Sequence, residues 1–155
     1  MEHAHAHGSE SPTRSAVQAT LHCLTGCAIG EIVGMVMASA LGFGNALSVA
    51  VSVLLAFLFG YALTLRPVIA AGVPPHRAVR LAVASDTVSI ATMEVVDNAF
   101  ILLVPGAIAA GLADGLFWWS LLLSLVIAFL LTVPVNRWLI VRGRGHAVMH
   151  ELHGH

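Results

Sequence analysis

Two cysteines, a glutamate and a methionine occupy every fourth position in the stretch HCLTGCAIGEIVGM. Residues four apart lie on one face of an α-helix, so Cys23, Cys27, Glu31 and Met35 form one continuous stripe. Thiolate and thioether sulfurs are soft ligands that favour Cu(I) and related ions. The spacing therefore predicts a metal site along this stripe, with His22 as an entry ligand. The alternative is that the buried cysteines simply pack as small hydrophobic residues.

A stripe of glycines runs beside the cysteines on the same predicted helix. Gly26, Gly30 and Gly34 recur at four-residue spacing, and small residues at this spacing let another helix approach closely in a bilayer. The pattern predicts a helix-packing surface next to the thiols. Because four helices enclose little space, we expect any ion pathway to lie between the protomers of a homo-oligomer, with the glycine stripe as a contact.

A second stretch, ASDTVSIATMEVVDNAF, places three carboxylates in an otherwise apolar segment. Asp86, Met93 and Asp97 point in nearly one direction on a helical wheel, and Glu94 flanks them. Each acid costs about 2.5–3.5 kcal/mol at the centre of a membrane, so the three are expected to face a polar interior. We interpret Met93 as a soft ligand and the acids as counter-charges or proton carriers. The alternative places the two aspartates near a solvated interface.

Histidines crowd both ends of the chain. Either tail is suited to transient metal capture on the cytoplasmic side, and the alternative is a disordered polar tail or residues added for expression. The residues concerned are His3, His5, His7, His146, His150 and His153.

These side chains lie in a strongly apolar chain of 155 residues. It is 58% hydrophobic, with only 10% charged residues, where soluble domains carry about 25%. The apolar runs lack the alternating polarity of β-strands. The composition therefore predicts an all-α integral membrane protein, and its net charge of -1 suggests no nucleic-acid partner.

Four apolar stretches are long enough to cross a bilayer, which takes about 20 helical residues. We expect Pro67 to follow the second span and Pro105 to close the third. The second and fourth spans carry only mild polar residues and are interpreted as scaffold. The predicted domain is a bundle of four transmembrane helices over 16–142, between polar tails at 1–15 and 143–155. The predicted spans are 16–41, 46–65, 77–104 and 115–140.

The seven positive residues are all arginines, and with four spans they all fall on one side of the membrane. The positive-inside rule makes that side cytoplasmic. The sequence thus predicts cytoplasmic N- and C-termini in the inner (plasma) membrane.

The segment LHCLTGCAIGEIVGM, followed by TMEVVDN in the third span, resembles a prokaryotic membrane-protein family, domain of unknown function 4396. The likeness extends from about Thr20 to Arg142, and its most specific part is the His-Cys-x3-Cys-x3-Glu core. It implies a small bacterial or archaeal multi-spanning protein and brings no established activity.

Three functions remain open on the residues. The first is binding or transport of a soft cation, most plausibly copper, along a ladder between helices one and three, with a cytoplasmic metal donor as partner. The second is a proton or hard-cation pathway that uses only the carboxylates. The third is a membrane assembly or accessory subunit. An enzyme is disfavoured, because the adjacent His22 and Cys23 point about 100° apart on a helix.

Overall fold

The computed structural model describes residues 11–142, which form four long helices and contain no strand. The prediction of an all-α fold is therefore confirmed. A single 3-10 turn, Ala107–Ala109, lies in the last connection. The helices are α1 (Pro12–Leu41), α2 (Asn45–Ala70), α3 (Pro75–Leu103) and α4 (Gly115–Val141).

Local sequence signals define both ends of α1. The Ser11 hydroxyl accepts a hydrogen bond from the Arg14 backbone N–H at 3.3 Å, and Pro12 occupies the first turn, where its missing N–H costs nothing. Gly42 ends the helix in the left-handed region, with φ of 69°, which glycine adopts without steric cost. The helix thus begins inside the segment predicted as an N-terminal tail.

The prediction that Pro67 follows the second span is wrong, because α2 continues through Pro67 to Ala70. A proline inside a helix removes one backbone donor. Here the loss falls close to the end of the helix, and the Pro67 carbonyl still accepts a hydrogen bond from the Ala71 N–H at 3.0 Å. The helix therefore tolerates proline in its last turns.

Three of the helices, α1, α2 and α4, are long and apolar enough to cross a membrane. Large aliphatic side chains such as Leu54, Leu102 and Leu130 are exposed on the outside of the bundle. A soluble protein rarely shows so much apolar surface, so these features indicate a membrane protein. Helix α3 falls outside this group because it carries two arginines and three acids.

The glycine stripe of α1 packs against α2. A Cβ atom added to Gly26 would lie 2.6 Å from the Gly60 Cα, and methyl groups on Gly30 and Gly34 would collide with Ala56 and Ser52. The expectation of a contact between protomers is thus corrected: in the described chain, this face is covered from within the same bundle. We call this contact the glycine seam.

Short turns join α1 to α2 and α2 to α3, so neighbouring helices run in opposite directions. The start of α1, the end of α2, the start of α3 and the end of α4 consequently meet at one end of the bundle. We call it the arginine end and the opposite end the distal end. The described arginines all lie towards it: Arg14, Arg66, Arg77, Arg80, Arg137 and Arg142.

Candidate functional site

Three carboxyl groups meet in the interior of the bundle. Glu31 of α1 faces Glu94 and Asp97 of α3, and one oxygen from each lies within 4.8 Å of the others. Their exposed fractions are 9%, 4% and 0%. We call them the acidic triad. Residues three apart share a helix face, which explains why α3 can present both of its acids to Glu31.

Among residues 11–142, most of the triad's carboxyl oxygens accept no hydrogen bond. One buried oxygen of Glu31, and both oxygens of Glu94 and of Asp97, lack a hydrogen-bond partner within the described residues. Two unit charges 4.8 Å apart repel by roughly 3–4 kcal/mol at an effective dielectric constant of about 20. The triad therefore requires protons or a bound cation to be stable when fully buried.

Two polar side chains lie next to the acidic triad, and two of its carboxyls contact each other. The Cys27 thiol lies beside Glu94, and the Ser124 hydroxyl of α4 lies near Asp97. The carboxyls of Glu31 and Asp97 are close enough for a proton on one to be donated to the other. As two carboxylates they can only accept, so a shared proton converts a repulsive contact into a hydrogen bond.

A cavity of about 640 Å³, counted with its open mouth, leads from the distal end to the triad. Glu31 and Glu94 line it, together with Met35, and every helix contributes to its wall. We call it the distal vestibule. The expectation of a pathway between protomers stays a prediction, and this cavity lies within one chain.

A dry layer separates the vestibule from the arginine end. Ile90 and Met93 of α3 are fully buried there, and they pack with Cys27 and Ala128. A Cβ atom on Gly60 would come within 2.6 Å of the Ile90 Cδ1 atom, so Ile90 fills the space that this glycine leaves.

A hydrogen-bonded network, which we call the polar clamp, lies between the dry layer and the arginine end. Asn136 of α4 donates to the Thr20 hydroxyl of α1 at 2.8 Å and accepts from the Ser89 hydroxyl of α3. Thr20 in turn donates to the Ala16 carbonyl at 2.7 Å. The interpretation of the fourth span as mere scaffold missed Asn136. The sequence does contain a sign of this network, because an amide side chain in an apolar helix needs hydrogen-bond partners when it is buried.

The chain matches a known family over nearly all of the described bundle. Residues 13–145 match the model of a domain of unknown function, DUF4396. The chain belongs to this family. The match includes the triad, the dry layer and the polar clamp. No curated protein and no solved structure matches the chain significantly.

In this DUF4396 chain, the stripe predicted as a metal site does not converge on one point. The His22 Nε2 atom lies 3.0 Å from the Thr64 hydroxyl of α2, and Cys23 lies near Asp86, which accepts a hydrogen bond from Ser85 at 2.8 Å. Stripe neighbours are about 6 Å apart along the helix axis. Among residues 11–142, the group of three His, Cys, Asp or Glu side chains whose ligand atoms lie within 4.8 Å of one another is the acidic triad.

The predicted tail sites fall outside the described residues, which are 11–142. The residues concerned are His3, His5, His7, His146, His150 and His153.

Proposed function

We propose that this protein spans the membrane with all four helices and exchanges protons for a hard cation at the acidic triad. The observation that supports the proposal is the set of three buried carboxyls without donors, within 4.8 Å of one another. An acid in the membrane interior is costly and is retained mainly for ion or proton pathways. Carboxylate oxygens prefer hard cations to copper.

The burial pattern of α3 supports the proposal that this helix also crosses the membrane. Its acids at Asp86, Glu94 and Asp97 are buried, whereas Val88 and Val95 are exposed. A bilayer would meet aliphatic side chains on this helix while the charged groups face the bundle. Four spans put the arginine end in the cytoplasm under the positive-inside rule. We further propose the inner membrane of a prokaryote as its location.

The arrangement of the interior favours a carrier over an open channel. Cations would reach the triad through the distal vestibule, and the dry layer and polar clamp close the bundle towards the arginine end. A proton pathway needs few atoms to move, whereas passage of a cation requires α3 and α4 to move relative to α1. Exchange therefore fits this geometry better than continuous flow.

The experiment that tests the proposal measures proton flux into liposomes that contain the purified protein and a trapped pH indicator. An inward Mn²⁺ gradient is expected to drive protons out through the wild-type chain. Glu31→Gln and Asp97→Asn are expected to abolish this flux, since each removes one titratable carboxyl. The matched control is Cys23→Ser with Cys27→Ser, which leaves the triad intact. Equal flux from wild-type and Glu31→Gln liposomes would contradict the proposal.

Copper handling is the second candidate, and one observation favours it: the Cys27 thiol lies beside Glu94, next to a vestibule that Met35 also lines. A mixed sulfur and carboxylate site could hold a soft ion. Copper bound per purified chain would then fall when both cysteines are replaced by serine. If neither the cysteine nor the triad variants change any flux, an assembly or accessory subunit becomes the better interpretation.

A further inference from the structure

We propose that the distal vestibule binds a small organic ammonium ion, whose charged head pairs with Glu31 and Glu94. This inference rests on the proposed function, because it places an organic cation at carboxyls where protons exchange for hard cations. One monovalent ammonium that enters replaces one proton, so the net charge of the triad stays the same.

The walls of the vestibule favour a cation that carries carbon. Apart from the two acids, much of the lining is aliphatic or aromatic, with Val53 from α2, Ile101 from α3, and Phe117 and Leu121 from α4. Amide and hydroxyl side chains complete the lining, namely Asn45, Ser48, Ser52, Asn98 and Ser120. An alkylammonium ion buries its chain against the apolar side chains and brings its charge to the carboxyls.

The hydrogen-bonding character of the lining also suits a ligand with N–H groups. Ser48 donates its hydroxyl proton to the Gly44 carbonyl at 3.0 Å, so its oxygen can only accept from a ligand. The carboxyl oxygens of Glu94 are buried acceptors without a donor. A primary ammonium has three N–H donors and no acceptor, which makes it complementary to this end of the cavity.

The composition of the cavity is consistent with such a ligand. Small-molecule pockets are mostly apolar with a few placed polar groups. The vestibule has this composition, since its wall combines apolar side chains with two acids and a few amides and hydroxyls. Its acidic floor and apolar walls are the chemistry expected of an amine-binding cavity.

Calorimetric titration of the purified full-length chain in detergent, with n-butylammonium chloride as the probe, tests the inference. We expect saturable binding with one site per chain and a heat that varies with the ionisation enthalpy of the buffer, since a proton is released. The neutral analogue n-pentanol should give no comparable saturable signal. Unsaturable uptake of butylammonium and pentanol alike would overturn the inference.

Two matched pairs of variants locate the site. Val53→Trp fills the vestibule and is expected to weaken butylammonium binding by roughly tenfold or more, while Leu54→Trp, on the exposed neighbour, leaves it unchanged. If the tryptophan at 53 prevents folding, Val49→Phe against Ala50→Phe repeats the comparison. Equal binding by both members of a folded pair would contradict the inference.

The same preparations separate this inference from the proposed function. Loss of proton flux in Glu31→Gln together with no butylammonium binding to the wild type would overturn the inference and leave the proposed function standing. Butylammonium binding that Val53→Trp removes, with proton flux that the triad variants retain, would support the vestibule site and overturn proton exchange at the triad.

Discussion

The acidic triad and the polar clamp both bury polar side chains at contacts between helices, yet they differ in how those groups are satisfied. In the clamp, Asn136 both donates and accepts across three helices. In the triad, five buried carboxyl oxygens have no donor among the described residues. A satisfied network holds helices together, whereas an unsatisfied one costs stability unless something binds it. The difference favours a structural role for the polar clamp and supports the proposed binding of protons or cations at the acidic triad.

The largest effect is expected from neutralising the triad. The variant Glu31→Gln, Glu94→Gln, Asp97→Asn should abolish proton-coupled flux, because no titratable carboxyl remains there. It should also raise the midpoint of thermal unfolding in detergent, most at alkaline pH, where the wild-type carboxyls lose the protons that relieve their repulsion. A variant that is both inactive and less stable would contradict the contrast with the clamp.

A smaller effect is expected from opening the dry layer between the two regions. Ile90→Ala should cost about 2–4 kcal/mol and let water reach from the vestibule towards the clamp, so that liposomes leak protons without a cation gradient. Val88→Ala, on the exposed side of α3, is the matched control. Tight liposomes with Ile90→Ala would show that the layer does not separate the regions.

Breaking the clamp should destabilise the fold while triad chemistry persists. Asn136→Leu leaves the Thr20 and Ser89 hydroxyls without their amide partner, which should cost about 1–3 kcal/mol. Chemical denaturation measures the loss, with Leu130→Ala on the exposed face of α4 as the control. Butylammonium binding should change by less than about threefold, and a larger loss would mean that the clamp and vestibule are coupled.

The smallest effect is expected at Cys27. Cys27→Ser keeps a hydroxyl beside Glu94 and should change stability by less than about 1 kcal/mol and flux by less than about threefold. A large loss of copper binding without loss of flux would instead assign the thiol to the second candidate function.

Helical periodicity predicts which acids of α1 and α3 face the interior of the bundle. The predicted ladder between helices one and three included Glu31 and Glu94, and the structure brings both into the triad. The helix boundaries followed from glycine and proline, except at Pro67. A proline near a helix end is tolerated when the remaining backbone groups find partners, which depends on details that composition does not contain.

Helical periodicity does not show which helix packs against a given face. The glycine stripe predicted close packing, yet nothing in α1 alone states whether α2 or another protomer fills it. The role of Asn136 could not be predicted for the same reason, because its hydrogen-bond partners Thr20 and Ser89 lie on other helices. The ladder of soft ligands stays a prediction, and its members lie at successive levels along the helix axis, about 6 Å apart.

The glycine seam has a mechanical consequence for how the triad can open. Backbone atoms of α1 and α2 meet at Gly26 and Gly30 with no side chain between them, so this pair of helices moves as a single stiff block. Glu31 belongs to that block, while Glu94 and Asp97 belong to α3. Motion that parts the carboxyls would therefore tilt α3 against two helices at once, and under the proposed function a cation bound between the carboxyls would oppose that tilt.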